Sequence, residues 1–299
     1  MTAMERLPGA GPVFERSWKL YRERLVSLLG AAALGAGAGM IGFLAALFAA
    51  FLLGLVWPGQ RVFFWITGGF VGVSLLLWFV GWAQAAVAEA LLLSASGAGV
   101  LELYRKTAWK AMGFSWTCLL ILLVVGGWVW PFFLSGGLAA AAMTAAPFLW
   151  LYLMVALFPA PFVYLGEGSG PWEALGRSLD LTRGVWWRVA GLAALAWMAA
   201  LVPGFIPFPA GFILGSLASF FPFVVLSVVY QELRKSAPPA AAVSRFSALI
   251  LWASAAGFAL TVFLFWRALP EAEAAFLLMK ERWLSGEFRK MPLGGGAMP

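Results

Sequence analysis

Apolar residues fill seven long runs, at about 28–56, 62–96, 114–134, 141–165, 187–205, 211–230 and 246–266, with short charged segments between them. A helix needs about 20 apolar residues to cross hydrocarbon, and each run meets or approaches that length. The charged segments carry a different rhythm. Phe14, Trp18, Tyr21 and Leu25 recur at helical spacing, with charges on the other side. In a helix expected over 171–183, Trp172, Leu175, Leu179 and Thr182 share one face, and Glu173, Arg177, Asp180 and Arg183 share the other. This pattern predicts amphipathic helices lying in the headgroup plane, each feeding an apolar run. On the polar face, Glu173 precedes Arg177 in the favourable i,i+4 order.

The charged segments resemble one another. Arg177-Ser178-Leu179-Asp180-Leu181-Thr182-Arg183-Gly184, with Gly191 beyond it, matches Arg16-Ser17-Trp18-Lys19-Leu20-Tyr21-Arg22 with Gly30 in one gap-free register. A more worn copy is Leu103-Tyr104-Arg105 with Gly113. The copies are spaced by about 80 residues, which is a sign of repeat architecture. The expected fold is all-α: a polytopic membrane bundle of three units, each an amphipathic surface helix plus a transmembrane hairpin. The units cover about 10–96, 97–165 and 166–235, giving a six-span domain over 1–235. A Pro/Ala linker follows at 236–245, then an additional span at 246–269 and an amphipathic tail at 270–299. Phe276, Met279, Trp283 and Leu284 lie near one face of that tail, and Leu293 to Pro299 is expected to be disordered.

Within the runs, Gly35, Gly39 and Gly42 interrupt the first, and Gly68 and Gly72 the second. Small residues at such spacing let helices approach closely in lipid. Gly37-Ala38-Gly39-Met40-Ile41-Gly42 matches a dinucleotide fingerprint by letter, but no strand precedes it and its surroundings are apolar, so that reading is set aside. Pro131, Pro147, Pro159 and Pro161 bend the third and fourth spans.

Composition agrees with this picture. The chain has 299 residues, 63% of them hydrophobic and 11% charged, where a soluble domain is about a quarter charged. The net charge is +7. With the N-terminus inside, the inner segments hold fourteen Lys and Arg and the outer turns hold one, Arg61. That is the positive-inside pattern. The seventh run strains it, and is either a full span exporting the tail or re-entrant. No basic stretch is long enough to follow a phosphate backbone, so nucleic acid is not an expected partner. The charged leader and the length of the first run predict a retained span and not a cleaved signal. Abundant Ala, Gly, Arg and Trp with scarce Lys point to a bacterial source, and the charge split is then expected to put the N-terminus on the cytoplasmic side of the bacterial inner membrane.

Candidate chemistry is sparse. The chain has no histidine and one cysteine, Cys118, in an apolar run. No metal, cofactor or catalytic set is expected. Glu89 and Gln84 are the strongly polar residues of the second run. Glu89 lies 27 residues past Val62, about 40 Å along a helix, deeper than hydrocarbon about 30 Å thick. It is expected at the inner interface, paired with a nearby Arg. Glu167, Arg177, Ser178, Arg183 and Gly184 form the densest polar cluster. It is read as a helix-packing node, with Glu167 paired to Arg and Ser178 bonded to backbone. Arg16, Ser17, Arg22 and Arg105 are their counterparts in the other copies.

Pro161-Phe162-Val163-Tyr164-Leu165-Gly166-Glu167, then Ala174, Arg177-Ser178, Arg183-Gly184 and Trp187-Arg188, resemble a bacterial and archaeal family of six-span proteins. The family is named for the membrane domain found beside some glycerophosphoryl diester phosphodiesterases. Tyr230-Gln231-Glu232-Leu233-Arg234 matches the end of its sixth span. The resemblance covers about residues 10–235 and implies a six-span fold. It does not imply the phosphodiesterase, whose separate soluble barrel uses histidines and metal-binding carboxylates.

Two functions remain open on these grounds. One is a non-catalytic scaffold or accessory subunit of a membrane complex, with basic surface helices on anionic headgroups, a second subunit or another copy of the chain. The other is a transporter or channel-like protein for a lipid or other apolar substrate, which needs no charge at mid-membrane.

Overall fold

In hydrocarbon, every backbone N–H and C=O must be satisfied within the membrane-crossing structure. Long apolar runs therefore form helices. The computed structural model describes residues 7–92, 99–126, 128, 137–237 and 244–284. It is about 89% helical, with no strand among the described residues. The elements are α1 (Ala10–Val56), α2 (Arg61–Leu92), α3 (Val100–Thr107), α4 (Ala111–Gly126), α5 (Gly137–Leu157), α6 (Ala160–Glu167), α7 (Pro171–Thr182), α8 (Trp186–Leu201), α9 (Ala210–Ala218), α10 (Phe221–Ser236) and α11 (Arg245–Leu284). Among the described residues, six helices are long and apolar enough to cross a membrane, or seven if the bent pair α3–α4 is one span. This is the architecture of a multi-pass membrane protein. Pro131 and the turn at Ser135-Gly136 lie outside the described residues, as does the segment after Leu284.

The first expected surface helix is not a separate element. α1 runs for 47 residues without a break, about 70 Å at 1.5 Å per residue. Nothing in Leu25-Val26-Ser27-Leu28-Leu29 stops a helix. Gly30 serves close approach instead, since a Cβ there would lie 2.8 Å from the Val100 side chain. The apolar face of Phe14, Trp18 and Tyr21 is also used differently from the in-plane expectation. It packs on α10, with all three rings within about 6 Å of Phe221, and the Tyr21 hydroxyl donates to Leu217 O at 3.0 Å.

The other two charged segments do form short helices of their own. α3 and α4 meet at a 74° bend. α7 and α8 are separated by Gly184, whose φ of 82° lies in the left-handed region open to glycine.

The α1–α2 hairpin shows why the glycines recur. A Cβ on Gly35 would lie 2.3 Å from Ala83 Cβ and 2.6 Å from the Tyr104 hydroxyl, and one on Gly68 would lie 2.3 Å from Ala50 Cβ. The helices touch backbone to backbone, as small-residue seams allow. Gly35→Ala is expected to lower the unfolding free energy by about 1–3 kcal/mol, the usual cost of overpacking. Gly37→Ala, with nothing within 4 Å of its Cβ, should cost nothing and gain up to about 1 kcal/mol of helix propensity. Thermal unfolding in detergent compares the two. Equal midpoints would remove the packing role of Gly35.

Burial is concentrated at the charged end. Leu28, Ala85, Leu91, Leu103, Val163, Val229, Tyr230 and Leu233 are all buried there. Beyond that layer the α1–α2 hairpin is left largely uncovered by the other described residues, and Phe48, Ile66 and Phe70 are 63%, 68% and 75% exposed. A soluble monomer does not carry apolar surface of that extent, whereas hydrocarbon accepts it.

α11 is one helix of 40 residues, so the seventh run and the start of the tail are continuous. The side chains of Phe276, Met279, Trp283 and Leu284 lie outside those described.

Candidate functional site

The polar side chains of the charged segments meet at one end of the bundle, and most of them join one helix to another. Arg61, the basic residue of the outer turns, lies at the opposite end of the α1–α2 hairpin, where its Nε donates to Gly54 O at 3.0 Å.

The densest node joins α6, α7 and α10. α6 ends at Glu167, because Gly168 follows in the left-handed region at φ 68°. Its carboxylate meets Arg177 Nε at 3.4 Å, with only 8% and 12% of the two side chains exposed. The Tyr230 hydroxyl donates to the other carboxylate oxygen at 3.4 Å. Tyr230 is fully buried. It fits because Gly166 leaves room, as a Cβ there would lie 2.8 Å from the hydroxyl.

Ser178 is also fully buried, and its hydroxyl donates to Ala156 O of α5 at 2.7 Å. That proton is directed at a carbonyl and not at a base, so the hydroxyl is arranged as a packing contact. Thr182 donates back to Ser178 O at 3.0 Å within α7.

The expected Glu173–Arg177 pair does not form. Glu173 instead accepts from the Gly170 N–H at 3.2 Å, closing the start of α7. Arg177 turns to Glu167, because a carboxylate in a drier place attracts it more strongly than an exposed one.

A second node joins α1, α2 and α10. Arg16 pairs with Glu232 and donates to Gln231 Oε1 at 3.0 Å. Gln231 in turn donates to Leu91 O at 3.1 Å. Ser17 differs from Ser178: it bonds Val13 O in its own helix at 2.7 Å.

Glu89 lies close to Lys110 Nζ, at 3.9 Å, and not to an arginine as expected. The α3–α4 bend carries Lys110 over the end of α2. A further seam holds α3 to the hairpin. Trp82 Nε1 donates to Tyr104 O and Thr107 Oγ1, each at 3.2 Å, and the Tyr104 hydroxyl donates to Ala31 O at 2.7 Å.

A third node was not singled out in the sequence. Asp180 accepts from the Ser244 backbone N–H at 3.0 Å, from the Ser244 hydroxyl, and from the Ser247 hydroxyl at 2.6 Å. It thereby fixes the start of α11. Arg183 lies over the Phe246 ring, 4.8 Å from its centre. The available signal was Ser244-Arg245-Phe246-Ser247 immediately before an apolar run, a helix-start pattern. Nothing in it named Asp180, 64 residues away.

The matched positions of the three segments share a burial state. Tyr21, Tyr104 and Thr182 are buried, and Arg22, Arg105 and Arg183 are exposed. Lys19, Arg234, Lys235 and Arg245 are also exposed.

Beside the nodes lies a cavity of about 500 Å³ between α1, α2, α4, α5, α6 and α10, lined almost wholly by apolar side chains, with Gln84 the polar exception. Cys118 is one of its walls. Among the described residues no three His, Cys, Asp or Glu side chains gather as a metal would need. Compared with known proteins, the chain matches no family model, no curated protein and no solved structure.

Proposed function

We propose that the protein is a non-catalytic scaffold or accessory subunit of a membrane complex in a bacterial cytoplasmic membrane, with its N-terminus inside and its basic face resting on anionic lipid headgroups. The carrying observation is the division of labour among its charges. Glu167, Glu232, Glu89 and Asp180 are engaged in joining helices, while Arg22, Arg105 and Arg183 stay exposed at matched positions of three segments, Arg183 also resting on the Phe246 ring. Each basic residue near an anionic surface contributes about 1 kcal/mol. A partner subunit or second copy would use the same face.

The test is the triple variant Arg22→Glu, Arg105→Glu, Arg183→Glu in nanodiscs. Retention of phosphatidylglycerol over phosphatidylcholine is expected to fall roughly a hundredfold at low salt and by less at high salt. Helicity should be unchanged, and stability should fall only by the loss of the Arg183–Phe246 contact, about 0.5–1 kcal/mol. Undiminished retention would leave those arginines as solvated surface and end the proposal.

A second reading, a transporter of a lipid or other apolar substrate, is favoured by the cavity of about 500 Å³, which falls in the ordinary size range of ligand sites.

A further inference from the structure

The cavity has walls that suit one kind of occupant. Ala36, Met154 and Phe223 contribute apolar surface from α1, α5 and α10, with Phe158 from the link between α5 and α6 and the Cys118 thiol from α4. Water fills a cavity only where it finds two to four polar partners, and here Gln84 is the polar lining residue among those described. An unfilled cavity also forfeits dispersion contacts on every wall. The rim decides what can enter. Ala36, Leu122, Met154 and Phe223 line the cavity and are also exposed, so its mouth is framed by the apolar outer surface of helices long enough to cross a membrane. What lies outside that mouth in a bilayer is hydrocarbon.

Gln84 adds an orientation. It is exposed at the cavity edge and lies five residues before Glu89, about 7–8 Å along α2. Glu89 and Lys110 mark the charged layer. An amide just below that layer sits where the oxygen-bearing end of a lipid chain would lie.

We infer that this cavity is an acyl-chain site: a single fatty-acyl chain enters sideways from the leaflet on the charged side, with its carbonyl or carboxyl oxygen at Gln84. The ester of a phospholipid and the carboxyl of a free fatty acid share this chemistry. The inference rests on the chain being membrane-embedded and does not need the scaffold role.

The experiment uses the full chain in nanodiscs with two photoactivatable probes, a phosphatidylglycerol and a palmitic acid, each bearing a diazirine in the chain. Adducts are mapped by mass spectrometry. Cys118 and Phe158 are expected to carry adducts from at least one probe. Labelling by the phospholipid alone identifies an ester lipid, and labelling by palmitic acid alone identifies a free acid. Ala36→Trp with Leu122→Trp fills the mouth from exposed positions and should cut the wall adducts at least fivefold. Adducts on Phe48 and Phe70, on the lipid-facing hairpin, should stay unchanged. No wall adducts from either probe, or wall adducts indifferent to the two tryptophans, would overturn the site. The triple arginine variant separates the two proposals. Wall labelling that persists there, with phosphatidylglycerol preference lost, leaves both standing. Phosphatidylglycerol preference with unlabelled walls removes the acyl-chain site alone.

Discussion

Glu167→Ala is expected to lower the unfolding free energy by about 3–5 kcal/mol, the cost of removing one partner of a largely buried ion pair. Arg177 would keep its charge with only 12% of its side chain exposed, and the Tyr230 hydroxyl would lose its acceptor on α6. Most of the loss comes from a largely buried charge deprived of its carboxylate and not from the attraction itself. The double variant Glu167→Met, Arg177→Met should therefore recover most of the stability, since apolar pairs of similar volume often replace buried ion pairs at little cost. Unfolding of both variants in mixed micelles with a denaturing detergent measures this. A double variant as unstable as Glu167→Ala would mean that the pair's hydrogen-bond geometry, and not charge balance, holds α6 to α7.

Asp180→Ala should have the second largest effect, of a different kind. Three hydrogen bonds end on this carboxylate. Bonds to a charged group contribute about 1.5–3 kcal/mol each when taken singly, and such values do not add fully within one cluster. A total of about 3 kcal/mol is expected, localised at the start of α11. The six-span part should keep its fold, while the start of α11, held by those bonds, becomes open to protease. Limited proteolysis with trypsin before and after the substitution gives the answer: the variant should be cut after Arg245 at least tenfold faster. Asp180→Asn keeps acceptor capacity without the charge and should fall between the two. An unchanged cutting rate would show that α11 is held by its apolar contacts, such as the buried Leu251 and Trp128 Nε1 donating to Ser254 at 2.9 Å.

The readable parts of the protein were those in which one segment acts alone. Apolar runs of about 20 residues gave the spans, because a lone run must satisfy its own backbone in hydrocarbon. Gly35, Gly39, Gly68 and Gly72 marked the tight seam of the first hairpin, because small residues at turn spacing have few other uses there. An arginine partner for Glu167 and the backbone bond of Ser178 followed from having few polar groups in an apolar setting, although which arginine did not. The charge on Glu89 had to be answered, although spacing alone did not select Lys110 over a nearby arginine.

Contacts between distant segments were not legible. Whether an amphipathic face meets lipid or protein looks the same in sequence, and Phe14, Trp18 and Tyr21 turned out to meet Phe221, more than 190 residues on. The choice of Arg177 between Glu173 and Glu167 depended on which carboxylate the fold had removed from water. Asp180 read as one more charge on a polar face until α11 was laid beside it. The cavity has no sequence signature, since its walls are ordinary apolar residues on five or more helices. The chain's own residues determined where it is apolar, where it is charged and that it is helical, because hydrocarbon and backbone hydrogen bonding act on each segment separately. Only the tertiary structure decided which charges are shared and where a space is left, because both depend on helices being brought to within a few ångströms of partners they do not encode.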